Sequence, residues 1–173
     1  MLKVLGVDPG LAATGVGLVS GNGVIGSSVE TYAFGSIRTA CGLPIADRLL
    51  KIFSEISTLL DRELPDLMIL EDVFILPHYP KSGLVLGRVS GVIMTAGARL
   101  GIPVHEISVR EVKRIVTGNG NAPKHQLEKS VRERLGHPEK ICPDHASDAL
   151  GLALAGLYRF GMSDALRMVS KER

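Results

Sequence analysis

Five residues of this chain have side chain types and positions that could support metal-assisted chemistry. Asp8 and Glu71 each end a short apolar run typical of a buried strand. The other three, Asp144, His145 and Asp148, stand at positions i, i+1 and i+4 of the last helical segment, so they share one side of a helix. Carboxylates held close together raise one another's pKa, and divalent cations remove that penalty. Hard oxygen ligands favour Mg²⁺ or Mn²⁺, and Mn²⁺ also tolerates an imidazole. Two such ions ~3.5–4 Å apart can hydrolyse a phosphodiester.

Each acid also has a structural explanation that requires no chemistry. A carboxylate at a strand end, such as Asp8, often caps the following turn, and Glu71 could be solvated like its neighbour Asp72. Asp144 would be favourable in the first turn of any helix, whereas Asp148 lies past that turn. The residues after Asp148 are almost all apolar, which predicts a buried helix whose one polar turn needs partners. The alternative hypothesis is functional: the acids at the two strand ends and the polar turn of the helix converge on one site.

The predicted secondary structure explains how these positions could converge. Three strands come first, with a turn at Gly21-Asn22-Gly23 between the second and the third. An amphipathic helix that Pro65 ends follows them. A strand, a helix rich in small residues and a fifth strand come next, before three more helices. This order predicts a mixed α/β fold whose sheet begins antiparallel and continues through helical crossovers. The predicted ranges for these first seven elements are Lys3–Asp8, Thr14–Ser20, Val24–Phe34, Pro44–Leu64, Leu67–Leu70, Ser82–Leu100 and Ile102–Ile107.

Capping signals delimit the last three helices. Ser108 and Glu111 have the spacing of a capping box, and Gly118 is suited to end the helix that they open. Asn121 is predicted to cap the next helix. The final helix is predicted to open at Pro143. The three helices are expected to end at Gly118, about Leu135 and about Phe160.

Charge is unevenly distributed along the chain, although the net charge is only +2. Residues 42–72 contain seven acidic and three basic side chains, whereas residues 110–140 contain eight basic and four acidic ones. Two solvated faces would explain this bias. An acidic metal site beside a basic phosphate-binding flank is the alternative, and it would point to a nucleic-acid partner.

Cysteine usage and hydropathy indicate the cellular compartment. Cys41 and Cys142 are far apart and form no CxxC pair, which argues against a zinc site or a disulfide framework and favours the reducing cytosol. Asp8 comes too early for a secretory signal, and the longest uncharged run, residues 9–29, is too rich in glycine for a membrane helix. We therefore expect a cytoplasmic protein of one domain without a membrane partner.

Four motifs resemble those of the RuvC-type Holliday junction resolvases. They occur in that family's order and span Met1 to about Tyr158, which is nearly the whole chain. Each motif alone is weak, but the four together are strongly specific. The motifs are Leu5-Gly6-Val7-Asp8-Pro9-Gly10-Leu11 with Thr14-Gly15-Val16-Gly17, Glu71-Asp72-Val73-Phe74, Val112-Lys113 through Val116-Thr117-Gly118-Asn119-Gly120 and Lys124, and Asp144-His145-Ala146-Ser147-Asp148-Ala149-Leu150.

The resemblance implies both a fold and an activity. The fold is ribonuclease H-like, with a mixed five-stranded sheet and helices on both faces; residues 1–160 form the nuclease domain, and residues 161–173 are a tail that can fray. The activity is resolution of four-way DNA junctions in recombination and repair. A homodimer makes paired symmetric nicks that leave 5′-phosphate and 3′-hydroxyl ends, and a branch-migration helicase complex is the implied partner.

The resemblance also assigns roles to individual residues. It implies that the catalytic metal ligands are Asp8, Glu71, His145 and Asp148. They would bind Mg²⁺, with Mn²⁺ as a substitute and two ions per site. The position of His145 is an Asp in some relatives and a His in others. Three residues become DNA contacts: Phe74 by stacking on a base near the crossover, and Lys113 and Lys124 by binding phosphates.

One segment departs from the family pattern. Relatives usually carry Lys-Asn after the aromatic motif and a Gln-Ala-Arg-Gly run in the next helix. Here residues 75–81 read Ile-Leu-Pro-His-Tyr-Pro-Lys and residues 87–91 read Gly-Arg-Val-Ser-Gly. That helix has glycine at positions 83, 87 and 91, which predicts close packing of another backbone, either the protein's own sheet or a second subunit.

Three other functions are compatible with parts of the sequence. Asp8-Pro9-Gly10 with Thr14-Gly15 resembles the phosphate-holding turn of sugar kinases and actin-like proteins, but 173 residues do not supply the second domain that those proteins need. A non-catalytic scaffold of the same fold would be expected to lose acids, yet all four metal positions are filled. A relative that cuts RNA is the remaining enzyme alternative.

Overall fold

The computed structural model describes residues 1–25, 27–72 and 80–171. Three strands come first in the described chain, and helices dominate its second half. In chain order the elements are β1 Leu2–Asp8, β2 Ala13–Gly21, β3 Thr31–Arg38, α1 Ile45–Glu63, β4 Leu67–Glu71, α2 Pro80–Arg99, β5 Val104–Ile107, α3 Val109–Thr117, α4 Lys124–Leu135 and α5 Asp144–Lys171.

The strands form one five-stranded sheet in the order β3-β2-β1-β4-β5. β1 and β3 are antiparallel to β2, whereas β4 is parallel to both β1 and β5. The predicted mixed sheet is confirmed. Because parallel strands end at the same edge of a sheet, the carboxyl ends of β1, β4 and β5 lie together. Val7 pairs with Leu70, so Asp8 and Glu71 follow one residue later on neighbouring strands.

Helices cover both faces of the sheet, because alternate residues of each strand point to opposite sides. Val4 and Ile69 pack with the apolar faces of α3, α4 and α5. Leu5 and Met68 point the other way and pack with α1 and α2. α5 is buried from Ala146 to Tyr158 except at the half-buried Asp148, and it lies against β1 and β2, so it is the central helix of the larger core. This burial agrees with its almost uniformly apolar sequence.

The third strand begins later than the sequence predicted. Hydrophobicity favoured a strand over Val24–Phe34, but β3 starts at Thr31, which pairs with Ser20. The side chain of Asn22 accepts a hydrogen bond from the backbone N–H of Val24 at 3.0 Å. That bond turns the chain away from the sheet, and Val24 is 48% exposed. Local side-chain bonding therefore overrides strand propensity in this loop.

One predicted helix cap is confirmed and another is wrong. The Ser108 side chain accepts a hydrogen bond from the Glu111 N–H at 3.3 Å, as the capping pattern predicted. Asn121 does not cap α4: Pro123 precedes the helix with an extended backbone, and no side chain bonds to the first turn. The reason is its position, because α4 begins at Lys124 and Asn121 lies two residues before the N-cap residue Pro123.

α5 extends beyond its predicted end. The helix was expected to stop near Phe160 but continues to Lys171. The sequence after Gly161 contains neither glycine nor proline, so nothing in it breaks the helix. Within the described residues, no helix combines the length and the apolar character that spanning a membrane requires.

Candidate active site

Two acidic side chains lie side by side where β1 and β4 end. Asp8 is 8% exposed, and Glu71 is half-buried on the adjacent parallel strand. The register of β1 and β4 forces this proximity, since the residues immediately before them are paired. Buried carboxylates without a cation between them are unfavourable. The sheet edge therefore carries a concentrated negative charge that needs a partner.

The first turn of α5 packs directly against the strands that carry these acids. Gly15 pairs with Asp8 across β1 and β2. A Cβ atom on Gly15 would lie 2.5 Å from the carbonyl carbon of His145, and a Cβ on Gly17 would lie 2.6 Å from the backbone N of Leu150. Only glycine permits this approach. Its consequence is a contact of 2.6 Å between His145 Nδ1 and Asp8 Oδ2, which leaves Nε2 for another ligand.

A lysine neutralises the other acids of this turn. The Lys124 ammonium at the start of α4 lies 3.0 Å from Asp148 Oδ2 and 3.5 Å from Asp144 Oδ2. Lys124 and Asp148 also line a cavity of about 160 Å³, together with Glu71 and Lys113. Apolar side chains complete the wall of this cavity: Val109, Val112, Leu127 and Leu152. Acidic and basic groups thus face one partly dehydrated space.

The electrostatics of the site match this geometry. Burial raises the pKa of Glu71 to about 8, and the charges of Asp8 and Asp148 act in the same direction. Burial also raises the pKa of Asp148, against the opposing effect of Lys124. Burial lowers the pKa of Lys124, but its hydrogen bonds and its attraction to Asp148 and Asp144 outweigh this, and the pKa is raised. The positive charge of Lys124 therefore does not fully offset the burial of these carboxylates.

The side chains present are compatible with a divalent cation. Asp8, Glu71 and Asp148 offer hard oxygen atoms, and the raised pKa of Glu71 reports a site where added positive charge would be favourable. In the described part of the chain, no three His, Cys, Asp or Glu side chains are already gathered closely enough to hold a metal. Instead, His145 contacts Asp8, and Lys124 contacts Asp148.

We expect the stability of the metal-free protein to fall between pH 5 and pH 8 because of Glu71. Its folded pKa of about 8 lies above the unfolded value of 4.5, so the folded state binds the proton more tightly. The stabilisation that comes from tighter proton binding at Glu71 is fully present below about pH 4.5, and it is lost as the pH rises through about 8. Glu71→Gln should remove this dependence and stabilise the protein on the order of 2 kcal/mol at pH 8.

Urea denaturation with a chelator, at several values of pH, measures this effect. Glu139→Gln is the control, since Glu139 is exposed in the α4–α5 connection. If the free energy of unfolding depends on pH equally in the wild type and in Glu71→Gln, the raised pKa assigned to Glu71 would be contradicted.

The structure brings together most of the residues that the sequence singled out. Asp8, Glu71, His145 and Asp148 meet at the carboxyl edge of the sheet, and the predicted DNA contacts Lys113 and Lys124 line the adjoining cavity. Phe74 and the divergent loop up to residue 79 lie outside the described residues.

Sequence reasoning missed two features of the site. One is the ion pair of Lys124 with the acids of α5, and the other is the steric role of Gly15. The sequence signal for the second was the alternation Gly15-Val-Gly17, because glycine on one face of a strand marks close approach of another backbone.

A model of the crossover junction endodeoxyribonuclease RuvC family matches residues 4–156. The chain belongs to the RuvC family. Its similarity to individual members is spread over the whole length. The chain is 37% identical to the RuvC of Brevibacillus brevis over 153 residues, which covers 88% of this chain and 90% of that protein. It is 34% identical to the RuvC of Chloroflexus aurantiacus over 168 residues, covering 94% and 100%.

A solved RuvC structure shares the fold. The structure of T. thermophilus RuvC in complex with a Holliday junction substrate superimposes with a TM-score of 0.87 at 26% identity and covers 94% of this chain and 97% of that one. The expected ribonuclease H-like fold is therefore confirmed. The actin-like and sugar-kinase alternatives are not supported, since RuvC similarity accounts for the motif at Asp8 and for the elements that follow it.

Proposed function

We propose that this chain is a Holliday junction resolvase, an endonuclease that cuts four-way DNA junctions by paired symmetric nicks. The observation that carries the proposal is that the charges of Asp8 and Asp148 both act on Glu71 at one sheet edge, beside a cavity that Lys113 and Lys124 also line. Carboxylates suit divalent cations, and lysines suit phosphates. Membership of the RuvC family supports the choice of DNA junctions over other phosphodiesters.

The positions of the residues support the roles proposed for them. Asp8, Glu71, Asp148 and the free Nε2 atom of His145 would hold two Mg²⁺ or Mn²⁺ ions. Such ions, when bound, activate a water and stabilise the leaving oxygen. The buried floor under Asp8 keeps bulk water from one side of the site. Attack by water on phosphorus with departure of the 3′ oxygen leaves a 3′-hydroxyl and a 5′-phosphate.

Basic side chains continue from the site along α3. A second cavity, of about 380 Å³, is lined by Arg110, Arg114 and Asn121 and adjoins the loop that follows α3. Within the described residues neither arginine forms an ion pair, so both can attract phosphates. Together with Lys113 they form a basic path for DNA beside the acidic centre. We place the enzyme in the cytoplasm with its DNA, with a branch-migration helicase complex as its partner.

Symmetric cutting requires two active sites related by a two-fold axis, so we propose a homodimer. The glycine positions of α2 are candidates for its interface. A Cβ on Gly87 or Gly91 would meet nothing within 4 Å, and both residues are exposed. Packing against the protein's own sheet therefore does not explain these two glycines. Leu84 on the same helix is 60% exposed and could add apolar contact.

If the glycines of α2 face a second subunit, Gly87→Leu should weaken the dimer at least about tenfold, because a branched side chain prevents close approach. Sedimentation equilibrium measures the dissociation constant. Gly42→Leu is the control, since Gly42 also has open space around it but lies before α1. A variant that dimerises as the wild type does would remove α2 from the interface, and a monomeric wild type on bound junction would reject the dimer.

The function itself is tested with four substrates: a synthetic four-way junction, linear DNA duplex, linear RNA duplex and an RNA–DNA hybrid. We expect cleavage of the junction in Mg²⁺, by two nicks at symmetric positions, and no cleavage with a chelator. The products should be religated by DNA ligase without end repair. Preferential cutting of an RNA substrate would favour the RNA-directed alternative. Failure to cut any substrate with Mg²⁺ or Mn²⁺ would favour the non-catalytic one.

A further inference from the structure

Lys124 differs from a DNA-binding lysine on an open surface, because its ammonium contacts a carboxylate of the proposed metal site. Its ammonium is 3.0 Å from Asp148 Oδ2, and Asp148 belongs to the proposed ligand set. The start of α4 is fixed there, because Leu127 and Val131 anchor the helix in the core that α5 forms. The Lys124 side chain itself is 58% exposed and can leave.

The second lysine of the cavity behaves differently. Lys113 lines the same space as Glu71, Lys124 and Asp148. Among the described residues it forms no ion pair, whereas Lys124 contacts two carboxylates. The two lysines therefore place similar charge near the acids, but only one of them occupies a ligand oxygen. This difference separates direct competition from a general electrostatic effect.

We propose that Lys124 is an exchangeable counter-ion, which neutralises Asp148 in the metal-free protein and is displaced when a divalent cation binds. The inference rests on the proposed function and goes beyond it. A divalent cation held by Asp148 would compete with Lys124 for this carboxylate and would repel the ammonium. The freed ammonium is then available for a phosphate at the same cavity.

This exchange couples metal binding to DNA binding. Without DNA, a cation that binds Asp148 would be repelled by the Lys124 ammonium, which lies 3.0 Å from Oδ2, so the metal affinity is reduced. A DNA phosphate that attracts Lys124 removes that cost. By linkage, DNA must tighten metal binding by the same factor by which metal tightens DNA binding. The protein is thus disposed to load its metal when a substrate is present.

Calorimetric titration of the free protein with Mn²⁺, in the absence of DNA, tests the proposal. Lys124→Met should tighten the Mn²⁺ dissociation constant roughly tenfold, because it removes the competing cation. Lys113→Met removes an equal charge from the same cavity and should change the constant no more than about threefold. Lys124→Arg keeps the competing charge and should bind Mn²⁺ as the wild type does.

Two outcomes of the Mn²⁺ titration would overturn the proposal, and they differ in their consequence for the proposed nuclease function. If Lys124→Met and Lys113→Met change the constant equally, Lys124 acts only through general charge, and the proposed nuclease function stands. If no variant binds Mn²⁺ and the wild type does not bind it either, the carboxylates are not a metal site, and both proposals fail.

Amine acylation followed by mass spectrometry gives a readout without DNA or catalysis. We expect modification of Lys124 to rise several-fold on addition of Mn²⁺, while that of Lys129, an exposed lysine paired with Glu133, stays constant. Equal modification of Lys124 with and without saturating Mn²⁺ would show that its contact with Asp148 persists, and the exchange would be rejected.

Discussion

Asp8→Asn should abolish junction cleavage while junction binding persists. Asp8 is the most buried acid of the site, and the amide keeps the shape and the acceptor that face His145 Nδ1. It loses the negative charge that a divalent cation requires. Metal-assisted charge stabilisation contributes several kcal/mol. Since about 1.36 kcal/mol corresponds to a tenfold change in rate, we expect the cleavage rate to fall roughly 10³-fold or more.

Single-turnover cleavage with saturating enzyme measures the chemical step of this variant, and gel shift measures its junction affinity. The affinity should remain within about threefold, because phosphate contacts come from basic residues and not from Asp8. Asp47→Asn, in the first turn of α1 and far from the site along the chain, is the charge-matched control and should cut normally. Undiminished Mg²⁺-dependent cleavage by Asp8→Asn would end the assignment of Asp8 as a metal ligand.

Gly15→Ala should impair cleavage although it adds only one methyl group outside the acidic cluster. The added Cβ would lie 2.5 Å from the carbonyl carbon of His145 and 3.0 Å from its Cβ, so the first turn of α5 must move. That turn carries His145 and Asp148. Misplacing reacting groups by about 1 Å can cost 10²-fold in rate, and we expect a loss of that order. The overpacking should also lower stability by ~1–3 kcal/mol.

Gly35→Ala provides the matched control for this variant. Gly35 lies on the neighbouring strand β3, and a Cβ there would meet only Val16 Cγ2 at 3.9 Å. Gly35→Ala should therefore fold and cut as the wild type does. Cleavage is compared at a temperature where circular dichroism shows both variants folded. Equal rates for Gly15→Ala and Gly35→Ala would show that the close packing of α5 on β2 does not position the site.

Short-range patterns account for much of the agreement between sequence and structure. The strand ends at Asp8 and Glu71 were predictable because a short apolar run that ends in an acid has few alternatives. The cap at Ser108 was predictable because its partner is only three residues away. Errors arose where local signals competed. The strand prediction for the loop before Thr31 missed the hydrogen bond between Asn22 and Val24. The cap prediction for Asn121 was wrong because α4 begins only at Lys124, two residues beyond the position that Asn121 could cap.

The sequence by itself determined the order of the elements, the five polar residues that could do chemistry and the family to which their motifs belong. These properties depend on residue type and on spacing along the chain.

The tertiary structure alone decided which charges neutralise one another. Lys124 and Asp148 are separated along the chain by the rest of α4, the α4–α5 connection and the start of α5, and their contact of 3.0 Å exists only because α4 and α5 share a core. The raised pKa of Glu71 likewise results from burial and from neighbours far away in sequence. Burial and through-space charge are sums over the whole fold, so no local pattern encodes them.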